Sequence, residues 1–406
     1  MTGATWVTGL GVAAPNGLGA EAYWEATLAG RSGIAEVSRF DASSYPARLA
    51  GEIHGFADAE LLPSRLLPQT DRVTRLALVA ADWALGDAGV DPGALPEFDM
   101  GVITAASSGG FEFGQNELRA LAGKGSQYVS AYQSFAWFYA VNSGQLSIRN
   151  GMRGPSSVVV GDQAGGLDAL AQARRQIRQG TPLVVSGAMD ASICPWGWVA
   201  QLAGGRLSTA EDPERAYVPF DDAARGQVSG EGGALLVLED ADHARRRGAP
   251  RVYGEVAGHG ATLDPRPGSG RPPGLHKAIE LALDDAELQP EEVDVVFADA
   301  AALPELDRAE AETLAKIFGP RGVPVTAPKT MTGRLCSGAG PLDVTAALLS
   351  FRDGVLPPTV HTVPSDRYDL DLVVGEPRPA AVQTALVVAR GQGGFNSALV
   401  VRAPQQ

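Results

Sequence analysis

Gln163 stands where a strand-to-helix turn would present a nucleophile. The run Val158-Val159-Val160-Gly161-Asp162-Gln163-Ala164-Gly165-Gly166-Leu167 passes from a β-branched stretch through a tight turn into a helical pattern. Ala164, Leu167, Ala171 and Ile177 mark that pattern. Such a turn holds one side chain at the positive end of a helix and aims backbone N–H groups at an incoming anion or carbonyl oxygen. Serine or cysteine there attacks acyl groups. A carboxamide does not, so the turn reads as an acyl-transfer site that kept its shape and lost its covalent step. The β-branched run before it is expected to be buried.

The other groups able to do chemistry are scattered. His54, His243, His259, His276 and His361 show no metal-ligand spacing, and no metal is expected. Cys194 and Cys336 have no sequence-local base and read as small buried hydrophobes. Two cysteines also make no disulfide framework and fit a reducing cytosol. The glycines of 391–394 are not followed by Lys-Ser/Thr, so they read as a tight turn rather than a phosphate loop. Arg174, Arg175 and Arg178 share a helix face and read as solvated or paired.

The elements that must position Gln163 alternate in type. Short apolar strands are expected at 5–9, 100–104, 157–160, 182–186 and 234–238, with helices between them. The clearest helix, 71–88, places Val73, Leu76, Ala77, Ala80 and Ala84 on one face. After a break near 241–249 the rhythm returns, with strands at 252–256, 293–298, 323–326, 384–389 and 398–401. Helices fall near 274–285, 308–318 and 340–351. This is α/β arithmetic, in two units of similar grammar, 1–245 and 250–406, that read as an internal duplication without an obvious residue-level repeat. The Pro- and Gly-rich stretch 264–273 reads as an exposed excursion.

Composition bounds the partners. The chain has 406 residues, 45% of them apolar, and a net charge of −14. That charge argues against nucleic acid and anionic membrane. No basic leader opens the sequence and no run of 18 apolar residues occurs, so a cytoplasmic protein is expected.

Along nearly its full length the sequence resembles the ketosynthases of the thiolase fold. The matching segments are Thr8-Gly9-Leu10-Gly11, Val218-Pro219-Phe220-Asp221, Gly230-Glu231-Gly232-Gly233-Ala234, Ala327-Pro328-Lys329-Thr330 with Gly333, and Gly391-Gln392-Gly393-Gly394-Phe395-Asn396. The resemblance implies duplicated βαβαβ halves packed as layers αβαβα. A condensing ketosynthase needs a Cys nucleophile and two His residues that stabilise the oxyanion and enolate as malonyl loses CO₂. Here the matching positions hold Gln163, Asp299 and Arg334, while Lys329 and Glu231 are retained. An anionic Asp299 would repel the enolate. Gln392 takes the place of the gating Phe and, with Gly393, belongs to the oxyanion-type loop.

This pattern looks like the chain length factor, or ketosynthase β subunit, of type II aromatic polyketide synthases. The turn at Gln163, Phe135-Ala136-Trp137-Phe138-Tyr139 and Pro195-Trp196-Gly197-Trp198 match that group. The resemblance implies a heterodimer with a catalytic ketosynthase α subunit, the two chains enclosing the tunnel in which a poly-β-ketone grows. Malonyl units arrive on a phosphopantetheinyl acyl carrier protein, which should dock mainly on the α subunit; this chain binds no cofactor of its own. Phe111, Gly114 and Leu118, on one helix face, would form the tunnel gate. Gly and Leu leave room there, which predicts a product longer than an octaketide. An alternative is that the carboxamide of Gln163 mimics an acyl-thioester carbonyl and promotes malonyl decarboxylation to supply the acetyl starter.

Overall fold

The computed structural model describes residues 3–266 and 268–404, so Pro267 of the expected 264–273 excursion lies outside the described residues. The five longer strands of the first half are β1 (Thr5–Ala14), β2 (Met100–Ala106), β3 (Ser156–Val160), β4 (Leu183–Asp190) and β5 (Gly232–Asp240). They lie in the order β3-β2-β4-β5-β1. The first three are mutually parallel, and β5 runs antiparallel to both β4 and β1. The second half supplies β6 (Gly254–Leu263), β7 (Val295–Phe297), β8 (Pro324–Thr326), β9 (Thr384–Arg390) and β10 (Phe395–Arg402). Their order, β8-β7-β9-β10-β6, and their directions repeat those of the first half. β1 and β6 meet only through Trp6↔Glu255 and Val7↔Gly254.

Helices fill three layers around these strands. Leu167 and Leu170 of α3 (Gly165–Arg178; α1 and α2 are Arg72–Asp87 and Phe111–Lys124) share one core with Val184, Leu236, Val387 and Leu399. The next residues along the same strands, Val185, Val237, Val388 and Val400, point the other way, as a two-residue period requires. Val185 and Val237 pack with Leu76 and Ala80 of α1, and Val388 and Val400 with Ile279 of α5 (Leu275–Asp285; α4 is Pro195–Ala203) and Leu314 of α6 (Pro304–Phe318). The central layer also holds α7 (Ala339–Asp353), buried on every side from Ala339 to Ser350. The order helix, sheet, helix, sheet, helix is that of the thiolase fold.

A residue-level repeat, invisible in the linear sequence, ties the halves together. β1 reads Val7-Thr8-Gly9-Leu10-Gly11, and its register against β5 shifts between Val7 and Gly9. β6 reads Val256-Ala257-Gly258-His259-Gly260, and its register against β10 shifts between Val256 and Gly258. At each bulge an aspartate accepts the next N–H: Leu10 to Asp87 Oδ2 and His259 to Asp285 Oδ2, both 2.9 Å. A Cβ on Gly9 would stand 2.2 Å from Ala84 O, and one on Gly258 2.2 Å from Ala282 O. Helix backbone and strand backbone touch there, so both positions need glycine.

One expectation fails at the edge. β3 pairs with β2 on one side only, and its β-branched residues are not buried; Val160 is 55% exposed. A β-branched apolar run specifies a covered strand, and a covering chain satisfies that as well as a core does.

Candidate active site

The turn after β3 is closed by its own side chains. Gln163 is 4% exposed at the entrance to α3. In the orientation that satisfies both its polar atoms, its amide donates to Cys336 O and accepts from Cys336 N–H, each at 3.2 Å. Cys336 itself sits in the left-handed region, φ 51°. Burial pushes its thiol well above the ordinary range, so it offers no thiolate beside Gln163. The oxyanion-type loop is engaged too, because Gln392 donates its N–H to Asp162 Oδ2 at 3.0 Å. Gly393 follows with φ 85°, the freedom that this tight loop requires. Behind the turn the hydroxyls of Ser107 and Ser337 both reach Gly161 O, at 2.8 and 2.7 Å. Asp190 accepts their backbone N–H groups at 3.0 and 2.9 Å, and burial pushes its carboxyl up to about 7.

The two positions where the resemblance places histidines form one buried ion pair. Arg334 Nη2 donates to Asp299 Oδ1 at 2.8 Å, and Nη1 to Oδ2 at 3.2 Å and to Asp299 O at 2.6 Å. Arg390 N–H adds a bond to Oδ1 at 2.8 Å. Burial alone would raise the Asp299 carboxyl, but the charges of Arg334 and Lys329 overcome it and hold it below the usual range. Its charge is therefore consumed by Arg334 rather than left to repel an enolate. Glu310 accepts the N–H groups of Asp299 and Ala300 at 2.7 and 2.9 Å; burial, then the charge of Asp299, pushes it up to about 7. The retained residues are likewise engaged: Lys329 Nζ with Asp343 Oδ2 at 2.7 Å, and Glu231 Oε1 with Arg72 at 2.7 Å and with Ile53 N–H at 2.9 Å. Gln163, Asp299, Arg334, Lys329 and Glu231 are thus each held by partners within the chain.

A cleft of about 360 Å³ opens beside Gln163, with Phe111, Val160, Ala200, Gln201, Arg206, Gln227 and Gln392 in its walls. Phe111, the first residue of α2, stacks on Trp196 with ring centroids 5.0 Å apart and planes at 16°. Gly114 is buried one turn further, and a Cβ there would stand 2.9 Å from Trp196 Cζ3. Its small size admits an indole. Leu118 is 49% exposed and takes no part in the cleft walls. The close approach that a mid-helix glycine suggests is to Trp196 of the neighbouring α4, a partner that the sequence pattern does not mark. Arg174, expected on a solvated or paired face, is buried and bound to Asp285 at 2.5 Å.

Comparison with known proteins agrees with the fold. Residues 5–244 match the beta-ketoacyl synthase N-terminal domain and residues 253–363 the C-terminal domain of that family. This chain belongs to the beta-ketoacyl synthase family. Within it, the chain is 62% identical over 398 residues to the actinorhodin polyketide putative beta-ketoacyl synthase 2 of Streptomyces coelicolor, covering 98% of each. It is also 62% identical over 398 residues to the tetracenomycin polyketide synthase ketoacyl synthase beta subunit of Streptomyces glaucescens, covering 98% of this chain and 97% of that one. It stands with the ketosynthase β subunits. Among solved structures, the ishigamide ketosynthase/chain length factor superposes with a TM-score of 0.91 at 26% identity, covering 100% of both chains. A type II PKS acyl-carrier protein in complex with its ketosynthase bound to the hexaketide gives 0.88 at 26% identity, again covering 100% of both chains. Among the described residues no helix is long and apolar enough to cross a membrane.

Proposed function

We propose that this chain is the non-condensing subunit of a type II polyketide synthase, setting poly-β-ketone length by shaping a tunnel shared with a ketosynthase α subunit in the cytoplasm. The observation that carries this reading is the closure of all three condensing positions inside an otherwise complete ketosynthase fold. Gln163 is bound to Cys336 and Asp299 to Arg334, so the chain's contribution is shape. The open edge of β3 and the exposed Trp137, Phe138, Tyr139 and Ile148 support a partner surface, since an unpaired apolar edge is a liability in a lone chain. Malonyl units reach the pair on the phosphopantetheinyl arm of an acyl carrier protein, docked mainly on the α subunit.

The gate in this reading is Phe111, Gly114 and Leu118; the Trp196 indole takes the space at Gly114, so the room for a product longer than an octaketide rests on Leu118, half exposed outside the cleft. A rigid wall that overpacks an added unit costs roughly 1–3 kcal/mol, enough to slow one extension about tenfold. The test is product mass from the chain reconstituted with a ketosynthase α, carrier protein and malonyl donor, against Leu118→Phe. Shorter poly-β-ketones are expected; unchanged lengths at normal yield would move the ruler off this helix. The decarboxylase alternative would need the Gln163 carboxamide aimed at the oxyanion N–H groups, whereas both its polar atoms are engaged by Cys336. Gln163→Ala is expected to keep starter formation, and its loss at normal assembly would revive that alternative.

A further inference from the structure

We propose that the cleft beside Gln163 is a binding site for a small organic carboxylate, held without being turned over. Most charged groups around the turn are already matched. Asp162, the one carboxylate of the cleft walls, is held by Gln392 N–H, and Arg334 by Asp299. Arg206 differs. Among the described residues its guanidinium has neither a carboxylate nor a carbonyl partner within the chain, yet it lines the cleft.

A second polar group lies beside it. Gln227 N–H donates to Arg206 O at 2.9 Å, and Leu207 and Gln227 form a parallel bridge, so the Arg206 and Gln227 segments share one wall. The side-chain amides of Gln227 and Gln392 also find no hydrogen-bond partner within the described chain. Polar groups left open and converging on one concave site fit a small-molecule occupant.

The chemistry of the occupant follows from these groups. A guanidinium fork beside amide donors matches a planar carboxylate. Phe111, Val160 and Ala200 give the remainder an apolar wall suited to a short carbon chain. The volume of about 360 Å³ suits a small molecule. With Gln163, Asp299 and the Gln392 N–H all engaged, and burial keeping the Cys336 thiol protonated, the cleft holds what it binds without attacking or decarboxylating it.

The test is calorimetric titration of malonate into the full chain, alone and with a ketosynthase α subunit, so it does not depend on the length-setting role. One saturable event assigned to this chain is expected. It should survive in Arg246→Gln, an exposed arginine elsewhere, weaken in Arg206→Lys, and fall about tenfold or more in Arg206→Gln, as loss of a charge-assisted bond requires. Malonamide, equal in shape and uncharged, should not compete. No saturable binding, or equal binding by Arg206→Gln, overturns the proposal. If Arg206→Gln does not fold, Gln227→Leu carries the same comparison.

Discussion

The two halves of this chain share strand order, strand direction and even the bulge that seats a glycine on a helix, yet they treat their central turns in opposite ways. In the first half, β3 ends in a turn stitched mostly by neutral groups, the Gln163 carboxamide to the Cys336 peptide and two serine hydroxyls to Gly161 O, with the Asp162 carboxylate on a single N–H. In the second half, the region after β7 and β8 is a buried knot of full charges, Asp299 with Arg334 and Lys329 with Asp343. The difference teaches where each half gets its rigidity. Neutral pins cost little to bury and give little when lost. Buried charges are held only while every partner is present.

Breaking the charged knot gives the largest effect. Arg334→Ala leaves Asp299 buried without its partner and should cost about 3–5 kcal/mol in denaturant unfolding. Replacing both members, Asp299→Leu with Arg334→Met, should recover much of that loss, which would show the pair to be matched rather than individually stabilising. The shared packing is tested next. Gly9→Ala and Gly258→Ala each press a methyl onto a helix carbonyl, and each should cost roughly 1–3 kcal/mol, equally in the two halves. Unequal losses would mean that the duplicated bulges no longer do the same job.

Gln163→Ala should cost only about 1 kcal/mol, because Cys336 lines the cleft and water can replace the amide at its peptide. The smallest effect is on pH dependence, and its sign differs between the two carboxylates. Asp190, raised to about 7, keeps a proton that the unfolded chain releases near 4, so its contribution is full below that pH and is lost as pH rises toward 7. Asp299, held low, contributes above its unfolded value and loses that contribution on acidification. Urea midpoints across pH 4–8 should therefore fall less with rising pH in Asp190→Asn. An unchanged slope would place the titration elsewhere.

Much of the fold was legible because its strands are short and cleanly bounded; β2, β4, β5 and β9 lie where alternation and turn residues place them. That the three condensing positions hold neither Cys nor His was legible from Gln163, Asp299 and Arg334 alone. What replaced it was not. The pairing of Asp299 with Arg334 joins residues 35 apart, and that of Gln163 with Cys336 joins segments from opposite halves, neither marked by local pattern. The repeat of Gly9 and Gly258 hid because its partner alanines lie far along the chain in the first half and close by in the second. Val158–Val160 misled for a different reason, since apolarity records that a strand is covered and not by what.

The carboxylate of Asp162 on the Gln392 N–H has an evolutionary reach. A cysteine restored at position 163 would meet a polarising donor already taken by an internal anion and a pair of charges where proton donors are needed. No single codon change is a step back toward condensation, because each repair is worthless until the others are made. Loss of the activity is in that sense a ratchet, and the chain is free to drift in every direction that preserves its walls.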